Sequence, residues 1–127
     1  MYRDDRPFPD AERVAMALVE RLAPAYVVTP PEITTPIVQV HRSGGHDNGV
    51  TDHPRVQISC LALTRHEAWQ LAEQVRQVVL NAGGTAADGA LIDRAGVEVA
   101  PQQVPDEDPH VRRVVATYVL TMRRPIS

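Results

Sequence analysis

From Asp10 onward the apolar positions fall at helical spacing: Val14, Leu18 and Leu22, with Ala15 and Val19, share one stripe, and Arg13, Glu20 and Arg21 fall off it. Asp10 is placed to cap this helix, and Glu12 lies in its first turn, where the helix dipole favours an anion. Pro24 stops the helix. Pro30, Pro31 and Pro36 make 24–36 an extended crossing segment, with room only for a short edge strand around Tyr26 to Val28. The period then changes to two. Ile37 to Arg42 alternates, with Val38 and Val40 towards a core and Gln39 and His41 away from it, and Ser43-Gly44-Gly45 signals a turn. Residues 43–54 read as a mobile hairpin loop, after which Arg55 to Leu63 alternates again with Val56, Ile58, Cys60 and Ala62 on one face.

Thr64-Arg65-His66-Glu67 has the spacing of a capping box, and Ala68, Leu71, Ala72, Val75 and Val79 follow on one helical face. Gly83-Gly84 offers a left-handed stop just beyond Asn81. Ala90 to Val99 reads as a third strand, bulged near Gly96, and 101–109 as a proline-punctuated acidic loop. In the last strand, Val111 to Arg123, Val114, Ala116, Tyr118, Leu120 and Met122 occupy one face. Arg113, Val115, Thr117, Val119, Thr121 and Arg123 occupy the other, which is apolar in the middle and basic at both ends. Such a face is either covered by a partner or left as an exposed apolar strip. The expected order is α-β-β-α-β-β: a single α+β domain, with a small, mainly antiparallel four-stranded sheet and two helices packed on one face. Residues 1–9 form a flexible lead.

Composition narrows the setting. The 127 residues suit one domain, and 43% hydrophobic with 23% charged residues excludes a disordered or fibrous chain. Thirteen basic against sixteen acidic residues give a net charge of -3, which argues against direct nucleic-acid recognition. Three of the five aromatics (Tyr2, Phe8, Tyr26) lie near the amino end, a poor base-stacking platform. No apolar run is long enough for a membrane helix, the first seven residues carry charges of both signs and lack the apolar core of a signal peptide, and a single cysteine excludes both an internal disulfide and a cysteine zinc cage. The expected setting is cytoplasmic. Every basic residue is arginine.

The candidate chemistry is sparse. His41, His46, Asp47, Asp52 and His53 cluster around the hairpin loop and have the donor types of a zinc or iron site. Their spacing matches no helical pair and a mobile loop holds tetrahedral geometry poorly, so a solvated polar loop is the better reading. Ser43-Gly44-Gly45 lacks the lysine and the following helix of a phosphate loop. Cys60 points inward as an inert thiol, and Asp106-Glu107-Asp108 lacks calcium-loop spacing. No catalytic constellation and no cofactor site follow. Trp69, beside the stripe of the long helix, is either core or, if partly exposed, an interface anchor.

The run from Thr35 through Val38-Gln39-Val40-His41-Arg42 to Gly44-Gly45, the polar loop, Asp52-His53-Pro54-Arg55-Val56-Gln57-Ile58, the helix with Ala68, Leu71, Ala72, Val75 and Val78, and the strand Arg113-Val114-Val115-Ala116-Thr117-Tyr118-Val119-Leu120 together resemble the tail terminator (tail completion) proteins of long-tailed bacteriophages and prophages, those of actinobacterial hosts in particular. The resemblance spans residues 10–124. It implies a non-enzymatic virion protein at the tail-neck junction, assembled in the host cytoplasm. Such proteins form a homo-hexameric ring that caps the tail tube, ends its polymerisation and meets the head-side connector. The implied partners are other copies of the chain, the tail tube protein and the connector protein, with no membrane. Gly44, Gly45, His46 and Asp47, with Arg112, Arg113 and Arg123, are the expected interface residues; Arg124 belongs to the same basic strand end. Rival readings are a head-side connector or adaptor subunit, a small-molecule-binding regulatory α+β module, and a metal-dependent enzyme using the histidine loop.

Overall fold

A computed structural model describes residues 7–28 and 30–123; Arg124 and residues 1–6 of the expected lead lie outside the described residues. The first helix, α1 (Ala11–Val19), starts where expected: Asp10 Oδ1 accepts the backbone N–H groups of Glu12 and Arg13 at 3.0 and 3.3 Å. It ends one turn before Pro24, and the Leu22 N–H closes a tighter turn on the Val19 carbonyl. A two-residue strand, β1 (Ala25–Tyr26), then runs parallel to β2 (Ile37–Asp47), which turns into β3 (Thr51–Ala62). The second helix, α2 (Arg65–Leu80), is followed by β4 (Thr85–Ala87), β5 (Ala90–Val104) and β6 (Arg112–Arg123). The sheet order is β1-β2-β3-β6-β5-β4, antiparallel except at β1.

The fold is α+β with two helices, as expected, but the sheet has six strands and not four. The additional strands are the short edges. β1 is the edge strand anticipated near Tyr26, and β4 is a run of three small residues too short to show a period. Two expected loops are also largely strand. Residues 43–54 extend β2 and β3, leaving only Asn48 to Val50 as the turn, with the Asn48 Oδ1 accepting the N–H groups of Val50 and Thr51. β5 continues through Pro101 to Val104 and absorbs half of the acidic loop. Proline is tolerated there because the register shifts between Val99 and Gln102, so Pro101 sits in a bulge and no ladder N–H is lost. The expected irregularity near Gly96 is present as shifts on either side of it.

Both helices pack on one face. Val14, Val19, Ala68, Leu71, Val75 and Val79 meet Val38, Val40, Val56, Ile58, Tyr118, Leu120 and Met122 in one buried cluster. The sheet curls around them, so that α1 touches both edge strands, and Arg13 reaches Asp88 in the β4–β5 turn at 3.5 Å. A second, small cluster of Ile37, Leu61 and Val111, capped by Ile33 from the crossing segment, closes the opposite face at one end. Thr64 Oγ1 accepts the Glu67 N–H at 3.2 Å, as a capping box requires, but its hydroxyl donates to Glu67 Oε1 at 2.9 Å and so takes the place of the return bond to the backbone.

Cys60 is 1% exposed, and burial pushes its thiol from 9.0 up to about 12. Burial, and then the neighbouring Cys60, push Tyr118 in the same direction, against an opposing pull from Arg76. A raised thiol keeps the folded state neutral while the unfolded chain ionises near 9.0. The resulting stability is complete below that value and is lost as pH climbs from 9.0 towards about 12. Two results are expected. Unfolding midpoints in urea should fall over that alkaline window, and at pH 8 a disulfide reagent should label Cys60 only as the protein unfolds. Rapid stoichiometric labelling of native protein would contradict the burial.

A candidate assembly surface

The strands run between two ends of the sheet. At one end lie the β2–β3 turn and Arg123; Thr51 pairs with Arg123 and Asp52 with Met122. At the other lie Arg112 and Arg113, paired with Ala62 and Leu61. The seven expected interface residues therefore divide between the ends: Gly44, Gly45, His46, Asp47 and Arg123 at the first, Arg112 and Arg113 at the second.

The first end is built by a bulge. Ser43 is the extra residue between Arg42 and Gly44, and Gly44 and Gly45 adopt φ +122° and +109°. Beyond it the strand alternation is reset, so His46 pairs with His53 and the two rings stack at 4.8 Å. The Nδ1 of His53 lies 3.3 Å from Thr121 Oγ1. Asp52 alternates to the other side of the sheet, where it is 2% exposed. There Arg42 holds it with two hydrogen bonds of 3.1 Å. Arg42 also donates through Nε to the Gly44 carbonyl at 3.1 Å, and its backbone N–H donates to Glu12 Oε2 at 3.0 Å. His41 Nδ1 sits 3.8 Å from the same Glu12 oxygen. The polar cluster expected around the hairpin is thus split across two faces. Among the described residues no group of three or more His, Cys, Asp or Glu side chains is arranged to hold a metal.

Arg42, Asp52 and Glu12 as a clamp were missed in the sequence. The available signal was parity: Val38, Val40 and Arg42 are successive same-face residues, so an arginine at the core face called for a buried acid.

The arginines of β6 are already engaged. Arg113 donates to Asp106 at 2.9 Å and to Gln39 at 3.1 Å, Arg123 to Asp93 through two bonds of 3.0 and 2.9 Å, and Arg112 to the Pro109 carbonyl at 3.0 Å. The middle of the outer face is not an open apolar strip either. Val115 and Thr117 are 7% and 8% exposed, set among Ser59, Gln57, Gln102 and Val99 by register. Beside them Arg55 and Glu98 form an ion pair of 2.6 Å. Trp69 is half-buried against the helical core. Its indole N–H and the Tyr118 hydroxyl are buried without a partner among the described residues.

A protein family described as phage tail termination protein matches residues 7–127. The chain belongs to that family. It is a structural protein of the phage tail. No curated protein matches it. A chain in a solved structure described as the virion of native gene transfer agent (GTA) particle is similar at 15% identity, with a TM-score of 0.61 over 89% of this chain and 87% of that one. That likeness is one of fold. Among the described residues no helix is long and apolar enough to cross a membrane.

Proposed function

We propose that this tail termination protein caps the tail tube as a closed homo-hexameric ring, ends tube polymerisation and presents the surface to which the head-side connector protein joins. The reading rests on one observation above others, the family match across residues 7–127. The geometry suits it. The strands give the subunit two chemically different ends, and a tube cap needs one end for the tube and one for the connector. In this reading the hairpin end, with His46, Asp47 and Arg123, is one docking end, and Arg112 and Arg113 mark the other. Gly44 and Gly45 act by aiming the hairpin. The capped tube joins the head in the host cytoplasm.

Purified protein added to polymerising tail tube protein should give tubes that stop growing, each carrying a ring of density at one end in negative-stain images. Tubes that lengthen at an unchanged rate and carry no terminal density would reject the proposal.

A further inference from the structure

Five of the protein's exposed large apolar side chains lie on two open stretches at opposite parts of the sheet. The first is β1 and the residues after it. Tyr26, Val27 and Val28 are 37%, 40% and 79% exposed, three in a row; β1 pairs only through Ala25 and Tyr26 and only on one side, and Val27 and Val28 follow it in a bend that a partner strand would have to straighten. The second is the outer edge of β5. β6 pairs with β5 from Ile92 to Val104, whereas β4 covers only Ala90 to Ile92, and the Gly83 backbone backs onto Asp93 and Arg94. From Gly96 onward the β5 edge has no strand beside it among the described residues. Val97 and Val99 are 36% and 39% exposed on that stretch.

An open strand edge is a row of N–H and C=O groups, and what satisfies it is another extended strand. One bulge, at Val97/Val99, lies within the Gly96–Val99 stretch, and a second, at Val99/Gln102 with Pro101, ends it, so only a short, irregular edge is offered, which blocks indiscriminate pairing. Ala25 to Val28 is about that long. Its β-branched and aromatic residues suit a strand. Charge agrees with the pairing. Glu20, Arg21 and Glu32 flank the β1 segment with a net negative charge and no ion pair among the described residues. The β5 edge lies between Arg94, which has no ion pair among the described residues, and Arg65, which among them is held by the neutral Gln103 at 3.1 Å.

We propose that residues 25–28 of one copy add as a strand to the Gly96–Val99 edge of β5 in the next copy, joining subunits head to tail. The two surfaces differ, so the contact is heterologous and continues from copy to copy until it closes. Closure into a cap rests on the function proposed above, whereas the pairing rests on the two edges.

The test uses Val28→Cys, Val97→Cys and the double variant, treated with a short bismaleimide both free and with tail tubes present. Both positions are exposed and Cys60 is buried, so the engineered thiols are the ones that react. The double variant should give a ladder of multimers on a denaturing gel, a mixture of the two single variants should give dimers only, and each single variant alone should stay monomeric. Dimers from Val28→Cys alone would overturn the proposal in favour of a two-fold contact. Tubes that are capped while no ladder forms would overturn the edge pairing and leave the cap reading standing. A ladder without capping would uphold the pairing and reject the cap, and the absence of both would reject both.

Discussion

Replacing Gly45 by alanine is expected to cost about 3 to 5 kcal/mol, the sum of backbone strain and an unrelieved overlap. Gly45 has φ +109°, outside the region an L-residue adopts at low cost. A methyl group there would run into the His53 carbonyl oxygen and would lie 2.7 Å from Pro54 Cα and 2.9 Å from Arg55 N. All three are backbone atoms of β3, which is held between β2 and β6 and has no free direction in which to move. Gly44 is the control. Its φ of +122° is as unsuitable, yet nothing lies within 4 Å of the site where its Cβ would stand, so Gly44→Ala carries the strain alone, about 1 to 3 kcal/mol. Urea unfolding of the two variants should therefore separate them by 1 kcal/mol or more, on the order of one overpacked contact. Equal midpoints would mean that the close approach of the two strands is not maintained in solution. A small domain has roughly 5 to 15 kcal/mol in total, so Gly45→Ala puts most of the fold at risk, and the hairpin end with it.

Local chemistry made α2 legible. A threonine three residues before a glutamate, an apolar stripe, and a glycine pair at the end agree with one another, and the helix forms within one residue of that frame. The core face of the last strand was legible for the same reason, since Val114, Ala116, Tyr118, Leu120 and Met122 all face the core, whereas the burial of Val115 and Thr117 on the opposite face does not follow from alternation. Glycine and proline misled where they serve as bulges. Gly44-Gly45 reads as a turn, but β2 bulges there and carries on, because the partner strand continues alongside and the ladder outweighs the break. Pro101 reads as a loop marker and sits in a bulge of β5, where the ladder asks no N–H of it. β4 was invisible because three small residues show no period. The expected interface residues are a harder case. In the sequence Arg113 and Arg123 read as charges at strand ends, and only the folded chain shows that Asp106 and Asp93 already hold them. Charge reversal at either would break an internal pair before it tested a partner.

The Arg42–Asp52 pair should respond asymmetrically to the loss of either partner. Arg42→Met leaves the Asp52 carboxylate at 3% side-chain exposure with no cation beside it, and breaking a buried pair in this way is expected to cost about 3 kcal/mol. Asp52→Leu leaves Arg42 instead, whose side chain is 38% exposed and can turn its guanidinium to water, so a loss of about 1 kcal/mol is expected. The double variant, Arg42→Met with Asp52→Leu, removes both charges and fills the space with apolar atoms; it should be more stable than Arg42→Met alone by about 2 kcal/mol. Denaturant unfolding of the four proteins closes the cycle. If Arg42→Met and Asp52→Leu lose the same amount, Asp52 reaches solvent and the clamp is not closed. The clamp's second task is positional, because Arg42 also donates to the Gly44 carbonyl and, through its backbone N–H, to the Glu12 carboxylate. The double variant keeps that backbone bond and loses the bond to Gly44. It should therefore recover stability without recovering the aim of the hairpin, and a deficit in tube capping that outlasts the regained stability would separate the two tasks.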